Sequence, residues 1–298
     1  MIPPLSLPLL RIHELLLARE VAIQLGLQTH AYVGRGWYPN AYGMPVDLAT
    51  ARDAARQARV TYRPGMSIPG RPFTHFSATT HVYNQTTLAV TQARAAQGYR
   101  VAILNFASAV SQGGGWLQGA RAQEESLARS SALVYAIHDD PWYRNVRHHR
   151  NPFYDDTVIV TPQVPFFRTH TGQLLDAPWY ADVITAAAVH ADAVRRHLPT
   201  RASEIPLTMA TRAHVVLQAA ATLPADVLVL GAWGCGVFGN APEVIVAAFM
   251  EALARVNLAH YALIEFAVAD LRTPQSVLMP FMRQWGGSGT VYGGSNHR

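Results

Sequence analysis

Val101-Ala102-Ile103-Leu104-Asn105 is an unbroken apolar run that ends on a single amide. A run of this kind, with no period-two alternation, reads as a central strand buried on both faces. Upstream, His81–Tyr83 is a short strand candidate, and Thr86 or Thr87 caps a helix that closes near Gly98. Downstream, strand candidates fall at Thr157–Thr161, Asp182–Thr185, Val227–Leu230 and Leu263–Val268, while helical spacing covers 124–138, 206–222 and 241–256. This alternation predicts an α/β layered sheet, mixed and not purely parallel.

Outside that body the pattern changes. Leu15, Ala18, Ala22 and Leu25 share a helical face that Gly26 would stop, and Asp47 would cap a second helix carrying Leu48, Ala51, Ala55 and Ala58. Residues 1–60 therefore read as an N-terminal helical accessory region, 61–285 as the main domain and 286–298 as a flexible tail. The stretch Asp139–Asp156, rich in Pro, Arg, His and aromatics, reads as a long surface loop. Its histidines, His148 and His149, and the preceding His138 suit solvated positions and no metal site.

Half of the 298 residues are hydrophobic, enough for a sizeable core. No run reaches the roughly 20 apolar residues of a membrane span, and Leu5–Leu10 lacks the flanks of a signal peptide. A single cysteine, Cys235, excludes an internal disulfide and a Cys-rich zinc site. The expectation is a cytoplasmic protein. The net charge of +5 suits a polyanionic ligand only mildly, because no dense Lys/Arg block is present. Direct nucleic-acid binding is not expected.

Two loops carry the chemistry. After the strand, the chain reaches Gly113-Gly114-Gly115 and then, seven residues on, Gln123-Glu124-Glu125. Consecutive glycines let backbone approach a ligand and present N–H groups to an anion, although a structural turn explains most such runs. Acidic residues in a first helical turn also complement the helix dipole. The sharper reading is acid catalysis by a buried carboxyl. Adjacent helical residues point about 100° apart, so the two glutamates are poorly placed to flank opposite faces of one sugar. One acid/base glutamate with a second that positions hydroxyls fits better.

The second loop runs from Gly231 through Gly234-Cys235-Gly236-Val237-Phe238-Gly239 to Asn240, which would cap the next helix, with Pro242 in its first turn and Glu243 three residues after the cap. Glycine-rich backbone that feeds a helix N-terminus suits a diphosphate. The spacing Gly234-x-Gly236-x-x-Gly239 also matches a dinucleotide fingerprint, but Gly231, Ala232 and Trp233 intervene after the strand, and Glu265 lies within the next strand. Cys235 reads as a small packing residue and not a nucleophile, with no histidine near it in sequence.

These residues resemble the bacterial-type poly(ADP-ribose) glycohydrolases. The triglycine and Gln-Glu-Glu pair match that family's signature, and AILNFASA, the run around AQEESLARSS and GAWGCGVFGN are similar too. Weaker similarity covers most of the chain. The resemblance implies a macrodomain-like three-layer α/β/α sandwich and hydrolysis of the ribose–ribose O-glycosidic bond of poly(ADP-ribose) to release ADP-ribose, with ADP-ribosylated proteins as partners. It implies no metal or redox cofactor. It implies Glu125 as acid and then base, Glu124 on ribose hydroxyls and Gln123 fixing the loop. It further implies Asn105 or Ser108 beside the distal ribose, Gly113, Gly114, Gly115, Gly234, Cys235, Gly236 and Val237 around the diphosphate, and Phe238 pressing that ribose. Gln112 stands where the family has proline and Trp116 where phenylalanine is commoner; neither removes a chemical group. Two other readings stay open: a non-hydrolytic ADP-ribose-binding macrodomain module, and a nicotinamide dinucleotide-dependent enzyme. The end of the strand near Phe266–Asp270 is the place to seek adenine contacts.

Overall fold

The computed structural model describes residues 2–7, 17–70, 76–149, 151–286 and 290–293. Its strands are β1 (Trp37–Pro39), β2 (Pro45–Asp47), β3 (Val60–Tyr62), β4 (Phe76–Tyr83), β5 (Val101–Phe106), β6 (Val158–Arg168), β7 (Leu174–Ala186), β8 (Val227–Gly231), β9 (Leu263–Ala267) and β10 (Thr290–Gly293). Its α-helices are α1 (Arg19–Arg35), α2 (Ala49–Gln57), α3 (Thr87–Ala96), α4 (Gln123–Ser130), α5 (Leu133–Ile137), α6 (Pro141–His149), α7 (Ala191–His197), α8 (Ile205–Ala221), α9 (Pro242–Leu253) and α10 (Leu278–Trp285). No described helix is long and apolar enough to cross a membrane.

One eight-stranded sheet has the order β10-β4-β9-β8-β5-β7-β6-β3. The strands β4, β9, β8, β5 and β7 are mutually parallel, and β10, β6 and β3 join by antiparallel pairing. The quoted run is β5, interior and buried from Val101 to Asn105. Its side chains alternate between two cores, as strand geometry requires. Ala102 and Leu104 join Leu228, Ile264 and Phe266 against α8, α9 and α10. Val101 and Ile103 join Val229 and Leu263 against α3, α4, α5 and α6. The result is a three-layer α/β/α sandwich with a mixed sheet.

Several expectations change. The first helix runs through Gly26 and stops at Gly36, whose φ of 85° is the left-handed stop that Gly26 does not supply. A Cβ at Gly26 would lie 2.8 Å from the Trp116 carbonyl oxygen, so that glycine serves a close approach. Leu15 lies outside the described residues. Asp47 does cap α2, its carboxylate accepting from the N–H groups of Ala49 and Thr50, but Ala58 is exposed. The first 60 residues also hold the β1–β2 hairpin, and Val33, Tyr38 and Leu48 pack on Ala132 and Phe167. The helix expected over 124–138 breaks at the extended Ser131, which bridges to Phe166. Within the expected tail, Thr290–Gly293 pairs with β4 as an edge strand.

The largest correction concerns 139–156. This segment contains α6, with Trp142, Tyr143 and Val146 buried in one core. Asp140 Oδ1 accepts from the Trp142 N–H at 2.9 Å, and Pro141 opens the helix. Trp142 Nε1 donates to Asp155 Oδ1 at 2.8 Å. Replacing Trp142 by Ala is expected to lower stability by about 3–5 kcal/mol, read from denaturant midpoints. A loss below ~0.5 kcal/mol is the mark of a surface substitution and would contradict a structural helix here.

Candidate functional site

Glu124 and Glu125 open α4, and both are buried. The preceding Gln123 locks this helix start to β5: its Oε1 accepts from Phe106 N–H at 2.9 Å and its Nε2 donates to Leu104 O at 2.8 Å. Glu124 Oε2 accepts from Ser108 N–H at 2.7 Å, and Oε1 from Gly113 N–H at 3.1 Å. Glu125 Oε1 accepts from Gly115 N–H at 3.0 Å. The other Glu125 oxygen, Oε2, is buried and has no hydrogen-bond partner among the described residues. Burial raises the Glu124 pKa well above the usual carboxylate value; the amides of Ser108 and Gly113 pull it down and the Glu125 charge pushes it up.

Positive φ at Gly113 and Gly114, 75° and 60°, bends the triglycine around these carboxylates. A Cβ on Gly114 would lie 2.2 Å from Glu125 Oε1 and 3.2 Å from Glu124 Oε2, so only glycine fits. This changes the role expected of Gly113–Gly115. The Gly113 and Gly115 N–H groups hold glutamates, Gly114 N–H donates to Ser111 O at 2.9 Å, and none of the three lines the cavity. Asn105 is likewise fully buried and off the cavity wall. Its Nδ2 donates to Thr185 Oγ1 at 3.3 Å, and its amide helps hold down the Glu124 pKa. Ser108 does line the cavity, but its hydroxyl accepts from the N–H groups of Val110 and Ser111.

The cavity has a volume of about 800 Å³, within the usual range for small-molecule sites. Gln123, Glu124 and Glu125 line it from the first loop, and Gly234, Cys235, Gly236, Val237 and Phe238 from the second. In the second loop the N–H groups of Gly236, Val237 and Phe238 donate to no acceptor among the described residues. Three successive amides without an acceptor among the described residues, in a turn, are a feature suited to an anion. Asn240 is not the expected cap, since α9 starts at Pro242. Its Nδ2 instead donates to Val189 O at 2.7 Å and Gly234 O at 3.2 Å, tying the loop to the segment after β7.

The remaining wall was only partly anticipated. Ala267–Asp270 line the cavity, and the wall continues to Arg272. Phe266 does not; it is buried and stacks on Trp285 at 4.0 Å. Asp270 folds this wall, its Oδ2 accepting from the N–H groups of Val277 and Leu278. Arg121, Gln85 and Thr86 also contribute, without any motif to mark them. Among the described residues no cluster of three His, Cys, Asp or Glu could hold a metal ion. Glu265, the acid a dinucleotide enzyme would need, is buried in mid-strand and ion-paired with Arg94.

Residues 27–169 match the family model described as microbial-type PARG, catalytic domain. The structure of poly(ADP-ribose) glycohydrolase from Thermomonospora curvata bound to the inhibitor ADP-HPD is similar, with 34% identity and a TM-score of 0.77 over 89% of this chain and 99% of that one. The Deinococcus radiodurans poly(ADP-ribose) glycohydrolase in complex with ADP-ribose is 36% identical, with a TM-score of 0.71 over 78% of this chain and 96% of that one. No curated protein matches.

Cys235 is buried, and burial pushes its thiol pKa up to about 12, which leaves almost no thiolate at neutral pH. Iodoacetamide at pH 8 is therefore expected to label the native protein far more slowly than the urea-unfolded chain. Equal rates would reopen a nucleophilic role.

Proposed function

We infer the reaction from the premise that this chain belongs to the microbial-type poly(ADP-ribose) glycohydrolases: it is a glycosidase that hydrolyses the ribose–ribose bond of poly(ADP-ribose) and releases ADP-ribose. Its ligands are the polymer, ADP-ribose and ADP-ribosylated proteins. The single observation that supports the residue assignment best is Glu125 Oε2, a buried carboxyl oxygen without a partner on a residue that lines the cavity. Its sister oxygen accepts from the Gly115 N–H, which anchors the carboxyl before substrate arrives.

In this reading Glu125 gives its proton to the departing 2′-oxygen while the bond from the anomeric carbon to that oxygen breaks and its electron pair leaves with the oxygen. Glu125, now a carboxylate, takes a proton from water as the water oxygen bonds the oxocarbenium-like carbon. Glu124 keeps a lone pair on each oxygen beyond its two amide bonds, and these accept ribose hydroxyls. The free amides of Gly236–Phe238 take the diphosphate, and Phe238 packs on the distal ribose. We assign 61–285 as the catalytic unit and 1–60 as its support: Thr29 Oγ1 donates to Arg129 O on α4, and Gly26 meets the Trp116 carbonyl beside the triglycine. A binding module would need the amide loop but no buried, unpaired carboxyl oxygen on a residue that lines the cavity.

Glu125→Gln keeps the shape and removes the transferable proton. Turnover is expected to fall roughly 10²–10⁴-fold with ADP-ribose affinity retained, measured by product release and by calorimetry; retained turnover would remove Glu125 from its role. Gly114→Ala displaces the same carboxylate by contact, and turnover should drop on the order of 10²-fold. Wild-type protein that binds ADP-ribosylated substrate yet releases nothing would favour the binding module.

A further inference from the structure

Phe238 has aromatic company. Its ring stacks on the His190 imidazole, with centroids 4.6 Å and planes 14° apart, and meets Tyr154 at 6.0 Å and 46°. A ring has two faces, and His190 covers one of them. The face left over is the one Phe238 can offer to the cavity it lines.

Backbone contacts lock these residues together. The His190 N–H donates to Pro152 O at 2.9 Å, and the Asp192 N–H donates to Phe238 O at 3.0 Å. His190 Nδ1 accepts from Ala193 N–H at 3.3 Å and so caps α7. Burial lowers the imidazole pKa, which favours the neutral ring that an accepting nitrogen requires. Tyr154 has a φ of 58°, a left-handed conformation that is a genuine outlier for a bulky side chain. Arg212, itself buried, holds it there: Nη2 donates to Phe153 O at 2.9 Å, Nε to Asp156 Oδ1 at 2.9 Å and Nη1 to Ala187 O at 3.0 Å. Neither local task calls for a ring. Asn is a better helix cap than His and tolerates positive φ better than Tyr. Strain that the surroundings hold in place concentrates at ligand clamps, and here both non-ideal residues point to Phe238.

We propose that His190 and Tyr154 are positioning residues that fix Phe238 as a preformed wall against the reacting ribose; this rests on the hydrolase reading above. The ring is set before substrate binds, so ordering it takes nothing from binding energy.

Two pairs of substitutions separate the rings from the local backbone tasks. His190→Asn and Tyr154→Asn remove the rings but keep the cap and the left-handed backbone. His190→Phe and Tyr154→Phe keep the rings and drop the polar atoms. Initial rates of poly(ADP-ribose) hydrolysis, ADP-ribose binding and melting temperature are measured for each. Both Asn variants should lose about ten- to a hundred-fold in kcat, with a smaller change in KM. The Phe variants should stay within about threefold of wild type whatever their melting temperature. Unchanged kcat in the Asn variants, or equal losses in Asn and Phe variants, overturns the proposal. Each position is read separately, so an unfolded variant at one leaves the other pair to decide. Wild-type protein that releases no ADP-ribose would instead sink the hydrolase reading, and this inference with it.

Discussion

Backbone N–H groups holding two buried carboxyl groups are the interaction on which the site depends. Glu124 and Glu125 together accept from Ser108, Gly113 and Gly115. Taking a carboxylate out of water is expensive unless hydrogen bonds replace the water. Here the replacement comes from main chain, which cannot swing away as a side chain can. Much of the fold serves that hold. The β5 strand ends where Ser108 must be, Gln123 ties β5 to α4, and the triglycine turns through positive φ to bring its amides round.

The same contacts set the two glutamates apart. Both oxygens of Glu124 are held, whereas Glu125 keeps one oxygen free. A carboxyl anchored through both oxygens, with a lone pair to spare on each, is suited to orienting hydroxyls, and one with an unpaired oxygen is suited to moving a proton. The second loop is organised on another principle. Its amides at Gly236–Phe238 are left open, and Asn240 braces the turn from behind. One loop turns its donors on the protein's own carboxyl groups; the other has three amides without an acceptor among the described residues.

What was legible in the sequence follows from this division. Gln123-Glu124-Glu125 could be read because its chemistry lies in adjacent residues, and the sheet could be read because VAILN and its counterparts are continuous apolar runs. The triglycine was legible as an anion site, while the bonds from its Gly113 and Gly115 amides to Glu124 and Glu125 are stated by no spacing rule. The helix α6 was missed because Trp142, Tyr143 and Val146 are interleaved with Arg, Asn and His, although Asp140-Pro141 was a usable start signal. Asn240 followed the local cap pattern and was misread, since its partner Val189 lies far off in sequence. His190 and Tyr154 carry no motif; their meaning arises only when three separate loops bring rings together.

Geometry also limits the stereochemistry. A flanking pair of carboxyls, one supplying acid and the other delivering water from the opposite face, stands roughly 6.5–9.5 Å apart. In this chain both carboxyl groups close on the same turn, at Gly114, and stand too near each other to flank a sugar. The opposite side has no second carboxyl from this pair. If Glu125 is both acid and base, the incoming water occupies the place the leaving oxygen has vacated. The new bond then forms on the face where the old one broke, and such a step conserves the anomeric configuration.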